Sequence, residues 1–284
     1  MKIVTDSAEL RREMAPLRGQ KIAFVPTMGC LHAGHLSLIR RARELADLVV
    51  VSIYVNPRQF APNEDLDRYP RPFERDAALC AETGVDLLFH PDSLYPADAP
   101  QVTLTLNPAH TLSSCLCGAA RPGHFDGVVT VVNILFNLVQ PDLALFGEKD
   151  WQQLAVIRRM VNDLQMAVEI VPCATVREAD GLAMSSRNHY LSAGERQLAR
   201  HIPEALQQMQ QAAADGTCDA HALIAAAERT LAAVGLTAEY LEIRHAETLA
   251  PLTCVDDAPA RAFIACRIGA TRLIDNIPLI FSRS

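Results

Sequence analysis

The stretch Pro26-Thr27-Met28-Gly29-Cys30-Leu31-His32-Ala33-Gly34-His35 carries two imidazoles three residues apart and two glycines. It follows the apolar run Ile22-Ala23-Phe24-Val25 and precedes a helical pattern, Leu36, Leu38-Ile39, Ala42 and Leu45. A buried strand therefore feeds a helix through this loop. Such a turn aims backbone N–H groups and the positive end of a helix dipole at whatever lies above the sheet. Gly29 and Gly34 remove side chains where a ligand approaches the backbone, and on a helix His32 and His35 share a face. The chemistry this favours is binding of nucleotide phosphates, with imidazoles in place of a glycine fan. Neither G-x-G-x-x-G nor the P-loop pattern occurs. Zinc is the rival use of two histidines, but the stretch supplies neither a third ligand nor a carboxylate. The plainest reading is two polar residues at a helix start.

Four further clusters carry polar or charged residues next to apolar runs. In Asn56-Pro57-Arg58-Gln59-Phe60 the two amides both donate and accept, which suits a substrate bearing hydroxyls and a carboxylate. A proline-containing surface loop is the plainer reading. In Arg121-Pro122-Gly123-His124-Phe125-Asp126-Gly127 a turn with a helix cap stands beside an anion contact from Arg121, and the residues leave the choice open. Phe146-Gly147-Glu148-Lys149-Asp150-Trp151-Gln152-Gln153 ends an apolar strand and opens a helix. The helix dipole accounts for Glu148 and Asp150. It does not call for Gly147, which permits close backbone approach, or Lys149, which neutralises phosphate charge. The last cluster runs from Arg177 through Ala183-Met184-Ser185-Ser186-Arg187-Asn188. Serine hydroxyls with an arginine make a phosphate clamp on a mobile loop; an interdomain linker is the plainer alternative.

These clusters need a scaffold that brings strand ends together. Strands are predicted at 21–25, 48–54, 86–89, 142–146 and 167–171, and helices at 7–14, 35–46, 72–83, 127–138 and 150–164. Several strands are continuous apolar runs, as in parallel sheets covered on both faces. The β-α-β alternation predicts an α/β fold with a doubly wound parallel sheet over residues 1–175, whose ligands bind beyond the carboxyl ends of the strands. Asp150 reads as the cap of the last helix and Pro172 as the end of the last strand. From 176 to 284 the texture changes to a smaller α+β domain, with helices at 192–214 and 219–234 and strands at 240–244, 261–267 and 272–280.

The 284 residues are enough for two proper cores, and half of them are hydrophobic. The net charge of −7 disfavours nucleic acid and other large polyanions, while a local basic cluster still serves a small anionic substrate. Eight scattered cysteines form no C-x-x-C pair, so reduced thiols in a cytoplasmic enzyme are expected, with no zinc ribbon or disulfide framework. Residues 1–20 are charged and lack the apolar core of a secretory signal. The stretch 128–139 is too short and too polar to span a bilayer.

Taken together, the clusters closely resemble the pantothenate synthetase (pantoate–β-alanine ligase) family over residues 21–276. More distantly, His32-Ala33-Gly34-His35 resembles the HxGH signature of nucleotidylyltransferases and class I aminoacyl-tRNA synthetases. Met184-Ser185-Ser186-Arg187 stands in the place of their KMSKS loop. The resemblance implies that Met28, Gly29, Cys30, Leu31, His32, Ala33, Gly34 and His35 contact ATP, with His35 as proton donor and His32 beside it. It implies that Gly147, Glu148, Lys149 and Asp150 line the nucleotide site, completed by Val176, Met184, Ser185, Ser186 and Arg187. Gln59 and Gln153 would hold pantoate, with Asn56 and Arg121 as further substrate contacts. Cys117 stands where some members carry Glu, so no carboxylate role transfers to that position.

What the resemblance implies is an ATP-dependent ligase. It joins pantoate to β-alanine through a pantoyl adenylate, uses ATP with Mg²⁺, has no protein metal site and assembles as a homodimer. The smaller domain would close over the intermediate and exclude water. Two other classes stand beside it: a nucleotidylyltransferase that forms no amide, and a non-catalytic nucleotide-binding module.

Overall fold

Continuous apolar runs need cover on both faces, and a parallel sheet flanked by helices supplies it. The computed structural model describes residues 1–62, 64–95, 104–256 and 258–281. Its larger sheet contains β1 (Lys2–Val4), β2 (Ile22–Thr27), β3 (Leu48–Ile53), β4 (Leu87–Phe89), β5 (Leu143–Gly147) and β6 (Glu169–Cys173). They lie in the order β1-β4-β3-β2-β5-β6, and every pairing is parallel. All six residues of β3 are buried, which is why that run shows no polar alternation. The three-residue β1 was not expected; it is too short to carry a periodic signal. Pro172 lies inside β6 and does not end it. β6 is an edge strand, so a missing N–H there costs no ladder bond.

The helices of this half are α1 (Ser7–Met14), α2 (Ala33–Leu45), α3 (Phe73–Glu82), the short α4 (His110–Ser113) and α5 (Leu116–Ala120), α6 (His124–Val139) and α7 (Trp151–Asp163). Leu38, Ile39 and Ala42 form the buried stripe of α2. The apolar α6 starts three residues before its predicted position, because Gly123 turns the chain ahead of it with φ of 79°. Its Phe136 ring meets Phe24 of β2 edge-on at 6.3 Å and Phe146 of β5 at 6.5 Å. Glu148–Asp150 form a 3₁₀ turn running into α7, so Asp150 is not the cap expected there.

The second half contains α8 (Ala193–Ala199), α9 (His201–Ala214) and α10 (Ala220–Ala232) with an antiparallel sheet, β7 (Ala238–His245), β8 (Ala260–Ile268) and β9 (Thr271–Leu279). The single helix predicted at 192–214 is two helices. Pro203 lacks an N–H and is tolerated in a first turn, so a new helix starts at His201. Ile202, Leu206 and Met209 of α9 and Leu223 and Leu231 of α10 share one core with Ile264 and Leu273.

By contacts the chain divides into two compact units. One is Met1–Glu148 with Val156–Ala174; the other is Lys149–Ala155 with Thr175–Ser284. The start of α7 goes with the second unit because Asn276 Nδ2 donates to the Lys149 carbonyl at 2.8 Å and Trp151 Nε1 to the Ala246 carbonyl at 2.6 Å. Among the described residues, no helix is long and apolar enough to cross a membrane.

Candidate active site

In an open α/β sheet, ligands bind where the strand order reverses. Here that point lies between β2 and β5, and the two loops there are the histidine loop and the one beginning at Gly147. His32 occupies the N-cap position of α2 with extended φ of −136°, and His35 is the third helical residue. The His32 N–H donates to His35 Nδ1 at 3.4 Å, and the two ring centroids are 4.0 Å apart. A ring nitrogen that accepts carries no proton, so neutral His35 holds its proton on Nε2. That tautomer leaves Nε2–H as a hydrogen-bond donor.

The approach to the pair is held from below. Gly29 has φ of +81°, and a Cβ there would come within 2.9 Å of Ile53 Cγ2 and 3.1 Å of Asp76 Oδ2. Packing therefore demands this glycine whether or not a ligand does. Buried Asp76 accepts the N–H groups of Cys30 at 2.6 Å and Leu31 at 2.9 Å. Burial pushes its carboxyl above the usual range, against the pull of those two hydrogen bonds. The N–H groups of Cys30 and Leu31, two of the residues expected to contact ATP, are thus engaged by Asp76.

Asn56 is buried, and its amide is committed within the protein. Nδ2 donates to Gln59 Oε1 and to the Gly127 carbonyl, each at 3.1 Å, and Oδ1 accepts from the Tyr95 hydroxyl at 2.7 Å. A Cβ on Gly127 would lie 2.2 Å from the Arg58 carbonyl oxygen, so only glycine lets α6 approach this turn so closely. Half-buried Gln59 points Nε2 at Met28 Sδ, 2.9 Å away, which joins the expected pantoate residue to the histidine loop. Arg121, expected as a substrate contact, forms a two-pronged pair with Glu64 at 2.5 and 2.6 Å and donates to the Gln59 carbonyl at 3.0 Å. Its charge is met by Glu64, and its visible work is to set Gln59. Burial pushes the Glu64 carboxyl up, and the Arg121 bonds and charge outweigh that and hold it below the usual range.

A Cβ at Gly147 would meet nothing within 4 Å, so the space above the end of β5 is open. Lys149 Nζ lies 3.5 Å from Asp150 Oδ1, with the lysine side chain 19% exposed and the aspartate 47%. Gln152 is buried and Gln153 half-buried.

The loop expected to be mobile is a framed hairpin. Met184 N–H donates to Val176, Glu178 N–H to Leu182, and Gly181 turns the chain with φ of +86°. Arg196 clamps it, with Nη2 on Glu178 at 2.5 Å and Nε on Asp180 at 2.9 Å, and Arg177 pairs with buried Asp275 at 2.7 Å. Ser185 Oγ accepts the Arg187 N–H at 3.3 Å; Ser186 is buried and Arg187 half-buried.

A family model described as pantoate-beta-alanine ligase matches residues 2–278. The chain is 52% identical to a pantothenate synthetase of Sphingopyxis alaskensis, over 98% of this chain and 100% of that one. The chain belongs to the pantoate–β-alanine ligase family. A crystal structure of pantothenate synthetase from Thermus thermophilus superposes with a TM-score of 0.93 at 48% identity, covering 98% of this chain and 99% of that one. The family enzyme of Francisella tularensis, solved in complex with β,γ ATP and β-alanine, superposes with a TM-score of 0.81 at 34% identity, covering 98% and 97%.

Family motifs pointed to the histidines, glutamines and Lys149, but three groups that hold them escaped sequence reasoning. Asp76 sits in line with Phe73, Ala77 and Cys80 on α3, and an acid on an apolar stripe is the signal that could have found it. Glu64 and Arg196 look like ordinary surface charges until their partners are known.

Proposed function

We propose that this chain condenses pantoate with β-alanine at the expense of ATP. The pantoate carboxylate attacks the α-phosphorus, the bond to the bridging oxygen breaks and pyrophosphate leaves with the electron pair. The β-alanine amine then attacks the adenylate carbonyl, AMP departs and a proton is lost from nitrogen. Neither step needs a covalent enzyme nucleophile.

The observation that carries this reading is the histidine pair at the N-terminus of α2, beside the strand-order reversal, in a chain whose family match runs nearly end to end. His35 would donate a hydrogen bond from Nε2–H to phosphate oxygen, and His32 would add a polar contact. Lys149 and Arg187 would neutralise charge as pyrophosphate departs, while Gln59 and Gln153 orient pantoate. His32 and His35 belong to the first unit and Lys149 and Arg187 to the second. We propose the second unit as the smaller lid domain and a homodimer as the assembled form.

Mg²⁺ is the expected companion of ATP. The described residues offer no group of three carboxylates within reach of one ion. The ion would ride on triphosphate oxygens, where it neutralises phosphate charge.

The test is product identity. With pantoate, β-alanine and Mg-ATP, pantothenate, AMP and pyrophosphate should form in equal amounts, and pantoate alone should support ATP–pyrophosphate exchange. Formation of ADP, or exchange indifferent to pantoate, would overturn the proposal.

A further inference from the structure

Three potential metal ligands converge in the second unit. Cys218 lies just before α10, and Cys254 and Asp256 lie in the segment between β7 and β8. One ligand atom from each falls within 4.8 Å of the others, and all three residues are half-buried. Cys254 Sγ lies 2.7 Å from Asp256 Oδ1. The backbone beneath is fixed by a short antiparallel bridge: Val255 N–H donates to Cys218 at 2.9 Å and Ala220 N–H to Thr253 at 3.0 Å. The neighbouring carboxylate of Asp219 is engaged elsewhere, capping α10 through the His221 N–H at 2.9 Å. No step proposed for the ligase reaction uses any of these side chains.

We propose that Cys218, Cys254 and Asp256 form a binding site for one thiophilic divalent cation of the zinc class, with water in the fourth position. Two sulfurs and one oxygen select such an ion over Mg²⁺ or Ca²⁺, which take oxygen alone. Tetrahedral bonds of about 2.3 Å to sulfur and about 2.0–2.2 Å to oxygen place neighbouring ligand atoms roughly 3.5–3.8 Å apart. The observed separations, 2.7 Å for Cys254 Sγ–Asp256 Oδ1 and all within 4.8 Å, bracket that spacing. On binding, two S–H bonds break, two metal–sulfur bonds form and two protons pass to solvent, with no change of oxidation state. The bound ion would staple the start of α10 to the β7–β8 connection. The C-x-x-C pattern misses the site because its ligands come from two separate elements.

The experiment uses the full chain, reduced with a phosphine, stripped with a chelator and titrated anaerobically with Co²⁺. Near-ultraviolet thiolate-to-cobalt absorption should saturate at one equivalent, and Zn²⁺ should bleach it. Cys218→Ser and Cys254→Ser should weaken binding at least about a hundredfold, beyond the 10–100-fold typical of outer-shell changes. Asp256→Asn, which keeps the side-chain shape, should weaken it about tenfold or more and keeps the test decisive if a serine variant fails to fold. His35→Ala should bind as tightly as the parent, since the histidine pair takes no part. The proposal is overturned by absence of the band at one equivalent, or by Co²⁺ affinity unchanged in Cys218→Ser or Asp256→Asn. Recovery of a Cys218–Cys254 disulfide whose reduction restores no metal uptake would also overturn it.

Discussion

Lys149→Ala should slow formation of the pantoyl adenylate by about 10²–10³, the usual cost of removing one preorganised charge-stabilising group. The magnitude follows from how the ammonium is held. Its side chain is 19% exposed, its one ion partner among the described residues is Asp150 at 3.5 Å, and its backbone is pinned by Asn276 at 2.8 Å. The group is therefore aimed by the chain and only loosely neutralised by it. If about half a unit charge develops about 3 Å from Nζ in an effective dielectric of about 20, Coulomb's law yields about 3 kcal/mol. That is about two powers of ten in rate. Pantoate-dependent ATP–pyrophosphate exchange measures this half-reaction, and the melting temperature should hold because the ammonium supports no core contact. Chemically supplied pantoyl adenylate should react with β-alanine on the variant far better than ATP and pantoate do. Equal impairment with preformed adenylate would place Lys149 outside the first half-reaction, and full activity from ATP would refute the phosphate role.

Asp76→Ala leaves the buried N–H groups of Cys30 and Leu31 without an acceptor. Stability should fall by about 2–6 kcal/mol in denaturant unfolding, with a raised KM for ATP as the histidine loop relaxes. Asp76→Asn, which keeps one acceptor oxygen, should fall between. The Glu64 carboxyl is depressed by Arg121, so its contribution to stability is complete above the ordinary carboxyl range and is lost as pH falls through the lower folded-state value. Unfolding free energy should therefore drop more steeply below about pH 4.3 in the parent than in Glu64→Gln, and equal slopes would contradict the pair's role. Cys117→Ala should keep most of the ligase activity, since no step uses a thiolate. A loss of several orders of magnitude in a folded variant would show that the mechanism is misread.

Local pattern in the sequence was enough to place the histidine loop between a buried strand and a helix. Apolar residues in unbroken runs mark β2, β3 and β5, the 3.6-residue stripe marks α2, and the motif order marks the family. Those features depend on residues within about one turn or one strand of each other, so they survive without knowledge of the fold. The same locality explains the errors. Pro172 reads as a strand terminator until β6 is known to be an edge, and 192–214 reads as one helix until Pro203 is seen to require a first turn. Partnership was beyond local pattern altogether. A periodic stripe says which face of α3 is buried but not that its Asp76 meets the N–H groups of a loop 45 residues earlier. Only the folded chain decides that Arg121 is matched by Glu64, that Arg196 frames the 176–188 loop, and that the Lys149 carbonyl is held by Asn276. The same holds for the approach of Cys218 to Cys254. The physical reason is that a charge or amide is indifferent to sequence distance. Its partner is whichever complementary group the packing of the two cores delivers within about 3 Å.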